Sequence, residues 1–369
     1  MRIFKTVGIL LLLVIAIVFP LVFSNPAVTT IAIFTLIFAA ATTGWNIFSG
    51  YTGYVSLGHA AYFGVGGYAM AILCQDWKVP GGYMPFLLVP LAGLVAALFA
   101  IPLGWIALRV RRHTFVVITI AIFFILQLFS FNLRGLTNGS TGLSLPIPID
   151  WSGDFFNFPF YYAALIVLVV AIAISWWVRN SKYGLGLLAI RDDEDRALGL
   201  GVSTGPSKLV AFVISALIVG MVGAIWAYFV ESIYPPSGFD ATFDLAVVLM
   251  AYLGGLGTIS GPILGAFILE PAQQYFTLQY GATGYYLVVY GALFLVIMLL
   301  LPRGIIPTVS ERWVKFQYGR QRSAQENMAL EGVGSRIASE DGSGRDDEDD
   351  QGGGPYGEQG QSVSNEKTV

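Results

Sequence analysis

One cysteine in 369 residues, Cys74, excludes a disulfide framework and any cysteine-built metal cluster. Two histidines, His59 and His113, with no His-Glu-x-x-His sequence, argue against zinc hydrolysis. The phosphate loop Gly-x-x-x-x-Gly-Lys-Ser/Thr is absent, so the chain does not bind ATP by that device. Charge is scarce: 12% of residues are Asp, Glu, Lys or Arg, where an ordinary soluble domain has about 25%. A large soluble core is therefore excluded. No catalytic residue, metal ligand or cofactor is expected, and neither enzyme activity nor a nucleic-acid partner.

What the chain has is long uncharged runs, at 6–23, 79–108, 114–133, 155–178, 209–230, 245–269 and 271–302. A helix crossing the hydrocarbon of a bilayer needs about 20 mostly apolar residues. These runs predict an all-α polytopic membrane protein with about ten spans: 6–23, 28–48, 58–75, 84–108, 114–133, 158–178, 208–231, 242–257, 262–279 and 284–301. Glycine-rich stretches at 50–67 and 254–265 leave nine spans or a re-entrant pair open. The apolar run after Met1-Arg-Ile-Phe-Lys5 is too long for a signal peptide and ends without a small-x-small site, so it is expected to be an uncleaved first span.

Charge sets the orientation. With the N-terminus in the cytoplasm, only Lys78 and Arg134 of the 20 basic residues fall outside, the bias of the positive-inside rule. An even number of spans then leaves the C-terminus inside too. Loops 76–83, 134–157 and 232–243 are expected to face out. The chain divides into a membrane domain, 1–305, with a cytoplasmic loop at 179–207, and an acidic tail, 306–369, whose composition reads as disordered.

Three features carry the functional reading. The stretch Gly50-Tyr-Thr-Gly53-Tyr-Val-Ser56-Leu-Gly58-His59 opens a tract with six glycines between residues 50 and 67. A second tract runs Leu253-Gly254-Gly255-Leu-Gly257-Thr258-Ile-Ser260-Gly261-Pro262. Glycine at membrane depth permits close helix packing; equally, broken backbone there lines a protein-walled or watery path. Both readings stand. The third feature is the charged island Arg191-Asp192-Asp193-Glu194-Asp195-Arg196 between two uncharged runs, with Leu187, Leu188, Ile190, Ala197, Leu198 and Leu200 around it. It reads as a short amphipathic helix for a partner's groove or as a solvated loop. Among ionisable groups within the spans, His59 reads as a helix cap or a proton relay. Glu270 reads as structural or functional, and Glu231 and Asp244 read as interfacial.

The motifs together resemble one family. Gly50-Tyr-Thr-Gly-x-x-Ser-Leu-Gly-His-Ala-Ala-x-Phe-Gly-x-Gly-x-Tyr68 is similar to the hallmark of the LivM-type permeases of bacterial branched-chain amino-acid ABC importers. So are Asn138-Gly-Ser-Thr-Gly-Leu143, Ser181-x-x-Gly-x-x-Leu-x-Ala-Ile-Arg-Asp-Asp-Glu194, Lys208-Leu-x-Ala-Phe-x-Ile-Ser-Ala216, Leu253-Gly-Gly-Leu-Gly-Thr-Ile-x-Gly-Pro262 and Leu301-Pro-Arg-Gly304, in the family's order over residues 30–305. The resemblance implies a plasma-membrane permease paired with a second homologous permease, two cytoplasmic ATP-binding subunits and an extracytoplasmic binding protein. It implies a translocation path framed by Gly50, Thr52, Gly53, Ser56, Gly58, His59, Gly254, Gly255, Gly257, Thr258 and Ser260. It further implies a coupling helix over Leu187–Gly199, with Leu187, Leu188, Ile190, Ala197, Leu198 and Gly199 as apolar or small contacts and Arg191, Asp193 and Glu194 as polar ones. Leucine, isoleucine and valine are the expected permeants. Urea, short amides or other amino acids in a related importer are the alternative, and a stand-alone channel for a small neutral solute is a reading from another class.

Overall fold

The computed structural model describes residues 2–23, 25–147, 151, 156–280 and 304–311, with five further positions between 291 and 299. The chain separates into a unit of residues 1–310 and a second of 311–369. The tail expected at 306–369 lies outside the described residues from 312 onward, and residues 305–311 are helical.

The first helices are α1 (Arg2–Val22), α2 (Pro26–Trp45), α3 (His59–Asp76), α4 (Val89–Ala107) and α5 (Arg112–Asn132). After them come the short α6 (Arg134–Thr137), strand β1 (Leu143–Ser144), α7 (Asn157–Asn180), α8 (Lys182–Asp192), α9 (Glu194–Gly199) and α10 (Thr204–Val230). Strand β2 (Ser232–Ile233), α11 (Pro235–Gly238), α12 (Ala241–Gly254) and α13 (Ser260–Tyr280) complete the described order. Nine of the expected spans coincide with helices in this series, and the segment 284–301 lies outside the described residues except at five positions. Among the described residues six helical segments are long and apolar enough to cross a bilayer: Pro26–Gly50, Met84–Ala107, Arg112–Asn132, Asn157–Asn180, Thr204–Val230 and Pro235–Gly254. Helix α3 is diluted by glycine, and α13 by Glu270, Gln273, Gln274 and Gln279. The chain is a multi-pass, all-α membrane protein.

Local chemistry explains where the elements start. Asn25 caps α2 by accepting from the Ala27 N–H at 2.9 Å, with Pro26 in the first helical position where its missing N–H costs nothing. The Asn157 amide then ties the start of α7 to that end of α2, donating to Pro26 O and to the Thr29 and Thr30 hydroxyls.

Helix α10 is the axis of the bundle, packed against α2, α3, α4 and α7. Its contact with α3 is made by glycine on both sides: a Cβ on Gly66 would fall on the backbone of Gly220. In lipid, where association rests on close van der Waals packing, small facing residues are what let two backbones meet. Outward-facing side chains such as Leu98, Val117 and Ile166 are more than 60% exposed, which suits a surface solvated by acyl chains.

The two ends of the bundle carry different chemistry. At the end where α10 stops, β1 and β2 pair antiparallel, Leu143 opposite Ile233, and Gln75 donates to Ser144 O. At the end where α10 starts, segments 46–58, 109–112, 179–204 and 254–260 converge through the hydrogen bonds described next.

Candidate functional site

The first glycine tract begins as a π-helical turn, Asn46–Gly50, which continues α2, and then opens into a loop before α3. Gly58 offers α3 no side-chain cap. The cap comes from Asp244 on α12, whose Oδ1 accepts from the Ala60 N–H at 2.9 Å. Asp244 is thus buried, not interfacial as its place near the end of an apolar run suggests. The His59 ring is also fully buried, with Nδ1 2.9 Å from Ser56 Oγ and Nε2 2.7 Å from Ser215 Oγ. Phe48, Tyr62 and Phe212 surround it.

The second tract forms the turn from α12 to α13 and packs directly on the first. Asn46 joins them: its Nδ2 donates to Thr258 O at 2.9 Å, and its Oδ1 accepts from the Gly257 N–H at 2.8 Å. Gly50, Thr52, Ser56, Gly58, His59, Gly254, Gly255 and Gly257 are buried, Gly53 and Thr258 are half-buried, and Ser260 is exposed. The structure therefore brings the two tracts together as one packed body at one end of the bundle.

The charged island lies against that body. It is two helices: α8 ends at Asp192, and Asp193, in extended conformation, caps α9 by accepting from the Asp195 and Arg196 N–H groups at 3.1 Å. Leu187, Ile190 and Ala197 turn inward and are fully buried in the chain's own core. Contact with a soluble partner cannot use them; they seat the segment. The apolar side chains left outward are Leu185, Leu198 and Leu200, 59–83% exposed, with Leu188 half-buried and Gly199 exposed.

Two of the three polar residues expected to face a partner also point inward. Arg191 Nη1 donates to Gly50 O at 2.9 Å. Glu194 takes a hydrogen bond from the Tyr54 hydroxyl and pairs with Lys208 Nζ at 2.5 Å, and Lys208 also lies 4.3 Å from the Tyr54 ring. Burial alone raises the Glu194 pKa, but the hydrogen bonds from Lys208 and Tyr54 and the Lys208 charge outweigh it and hold the carboxyl below the usual glutamate range. Asp193 pairs with Arg196 at 3.0 Å.

Further anchors had no motif of their own. Arg112 donates to the Ile190 and Arg191 carbonyls at the end of α8, where a cation suits the free carbonyls and the helix dipole. Arg179, in the last turn of α7, donates from Nη1 to Gly257 O at 2.5 Å. A lone amide in the apolar run at the end of α2 and the basic residue that closes the uncharged run 155–178 are the sequence signals that mark Asn46 and Arg179, whereas Lys208 opens one of the quoted motifs. Glu270 is fully buried in α13, with Gln274 donating to Oε1 at 2.8 Å and no partner for Oε2 among the described residues.

The fold is an apolar helical bundle that carries, at one end, a charged, partly apolar segment packed on two glycine turns, the architecture of a polytopic membrane subunit. The chain belongs to the family of permease components of branched-chain amino acid transport systems, whose model matches residues 27–298. It is 27% identical over 339 residues to the high-affinity branched-chain amino acid transport system permease protein LivM of Salmonella typhimurium, covering 85% of this chain and 77% of that protein. LivM of Escherichia coli is 26% identical over the same shares of the two chains. The LivH permease protein of Salmonella typhimurium is 26% identical over 282 residues, 73% of this chain and 91% of that one. No solved structure matches the chain.

Proposed function

We propose that the chain is the LivM-like permease subunit of an ATP-driven importer for leucine, isoleucine and valine. It forms the translocation path with a second, homologous permease. Two cytoplasmic ATP-binding subunits drive it, and an extracytoplasmic binding protein delivers the substrate. The observation that carries this reading is the segment α8–α9: it offers Leu185, Leu198 and Leu200 outward while its inner face is bonded to the first glycine tract and packs Arg191 against Gly257 of the second. The LivM and LivH names of the relatives support the substrate class.

The chain has about ten spans in the plasma membrane, residues 1–305 being the permease domain and 306–369 a cytoplasmic acidic tail. The end bearing the 109–112, 179–182 and 191–208 basic residues is cytoplasmic, as the positive-inside rule requires, with both termini on that side. Gly50, Thr52, Gly53, Ser56, Gly58, His59, Gly254, Gly255, Gly257, Thr258 and Ser260 frame the path near its inner mouth. The docking side of the segment is Leu185, Leu188, Leu198, Gly199 and Leu200, with Asp192, Asp195 and Arg196 among them.

The test is reconstitution of the two permeases, two ATPases and binding protein in vesicles. ATP-dependent uptake of radiolabelled leucine, competed by isoleucine and valine but not by urea, is expected. Leu198→Asp with Leu200→Asp should reduce recovery of the ATPases with the permeases at least tenfold while leaving the melting temperature of the chain unchanged. ATP-independent leucine flux through the chain alone would refute the importer reading.

A further inference from the structure

We propose that Arg191 is the positioning residue that carries displacement of α8 and α9 to both glycine tracts, with Arg179 as its counterpart on α7; this deepens, and rests on, the permease reading. Arg191 sits in the last turn of α8 and runs inward into a slot made by two glycines more than two hundred residues apart in sequence. Its stem lies along Gly53, where a Cβ would stand 3.1 Å from Cγ, and its head lies on Gly257, where a Cβ would collide with Nη1. Both glycines have positive φ, 73° and 76°, so the turns that make the slot also require a residue without a side chain. From the slot Nη1 reaches Gly50 O at 2.9 Å. Arg179 approaches Gly257 from the other side, donating to its carbonyl, with the guanidinium 5.5 Å from the Tyr51 ring.

Two further observations make this a mechanical link. Asn46 bonds both the Gly257 N–H and Thr258 O, so the two tracts move as one body and a pull at Gly50 is a pull at Gly257. And neither guanidinium has a carboxylate partner among the described residues; both are bonded to backbone carbonyls. A guanidinium holding a carbonyl can slide or let go as the backbone shifts without stranding a buried carboxylate, which breaking an ion pair would do. The buried Lys208–Glu194–Tyr54 set is the opposite device: it keeps the segment seated on α10 and on the first tract while Arg191 follows the motion.

The predicted phenotype is uncoupling. In the full reconstituted importer, Arg191→Ala should lower leucine uptake per ATP hydrolysed at least tenfold, with hydrolysis itself within twofold of wild type. Arg191→Lys, which keeps the charge and one donor at similar reach, should recover at least a third of the ratio. Uptake and hydrolysis falling in the same proportion would mean that Arg191 serves folding or assembly only, and an unchanged ratio would remove it from coupling; either result overturns the proposal. If Arg191→Ala does not assemble, Arg191→Gln, which keeps a polar head but is too short to reach Gly50 O, decides: a lowered ratio supports the link and an unaltered ratio sinks it. A wild-type assembly that hydrolyses ATP without moving leucine would overturn the functional reading itself, and is seen before any variant is made.

Discussion

The Lys208–Glu194 pair offers the sharpest stability test. The Lys208 side chain is 4% exposed and that of Glu194 is 23% exposed, and the Tyr54 hydroxyl touches both. An exposed ion pair is worth about 0–1 kcal/mol, whereas removing one partner of a buried pair costs about 3–5 kcal/mol because the other charge is left uncompensated. Glu194 retains some water, which places Lys208→Met near the lower figure, about 3 kcal/mol, or roughly a hundredfold in the folded-to-unfolded ratio at 1.4 kcal/mol per tenfold. Glu194→Gln leaves Lys208 more deeply stranded, softened only by the Tyr54 hydroxyl and ring. Its cost should be similar.

The double variant is the informative one. With both charges gone the penalty of a buried lone charge disappears, so the double loss should fall short of the sum of the singles by at least about 1.5 kcal/mol, within the range of coupling between contacting groups. The measurement is unfolding of the purified chain in detergent, followed by tryptophan fluorescence across all four members of the cycle. Additive singles of under about 1 kcal/mol each would refute the reasoning, because the pair would then be an ordinary surface contact and the segment would have no fixed seat.

Two other outcomes follow from the same geometry. Gly66→Val should destabilise the chain by about 3 kcal/mol or more, since overpacking here meets the Gly220 backbone and not a side chain that can swing away; Gly199→Ala, in a helix with open space around it, should be neutral or slightly stabilising, both read as survival of monodisperse protein after heating. The depressed native pKa of Glu194 means that its contribution is fully present above the unfolded value of about 4.3 and is lost as pH falls through the lower native value. Melting temperatures of wild type and Glu194→Gln should therefore differ at neutral pH, and the gap should narrow steadily as the pH falls below the unfolded value of about 4.3; a gap that does not narrow there would contradict this origin.

The bundle was legible because its signal is a matter of length: runs of about 20 uncharged residues announce helices whatever they pack against. The contact between the two glycine tracts was not legible, because it rests on Asn46, a single amide that bonds Gly257 and Thr258 more than two hundred residues away. The charged segment was legible as a short helical unit but not in its orientation. Leu187, Ile190 and Ala197 look the same in sequence as Leu185, Leu198 and Leu200, because an amphipathic helix shows equally apolar residues to its own core and to a partner's groove. Asp244 was misplaced for a related reason: an acid near the end of an apolar run suggests the interface, and only the fold reveals that α3 lacks a cap of its own and takes one from α12.

The charged island misled in a more general way. Six charges in succession read as a surface, and Asp192, Asp195 and Arg196 are exposed as that reading expects. Arg191 and Glu194 are instead turned inward, three residues apart in sequence and bonded to the same loop, Arg191 to Gly50 and Glu194 to Tyr54. Glu194 could be suspected from Lys208, since a buried acid needs a base. Arg191 could not, because a guanidinium satisfied by backbone carbonyls leaves no complementary residue for a sequence to reveal. Its only traces are the glycines at 53 and 257, which look like flexibility but are shaped by the side chain lying between them. A cation held in this way is found from the fold, where a pair of positive-φ glycines in separate turns leaves room for the side-chain stem that lies between them.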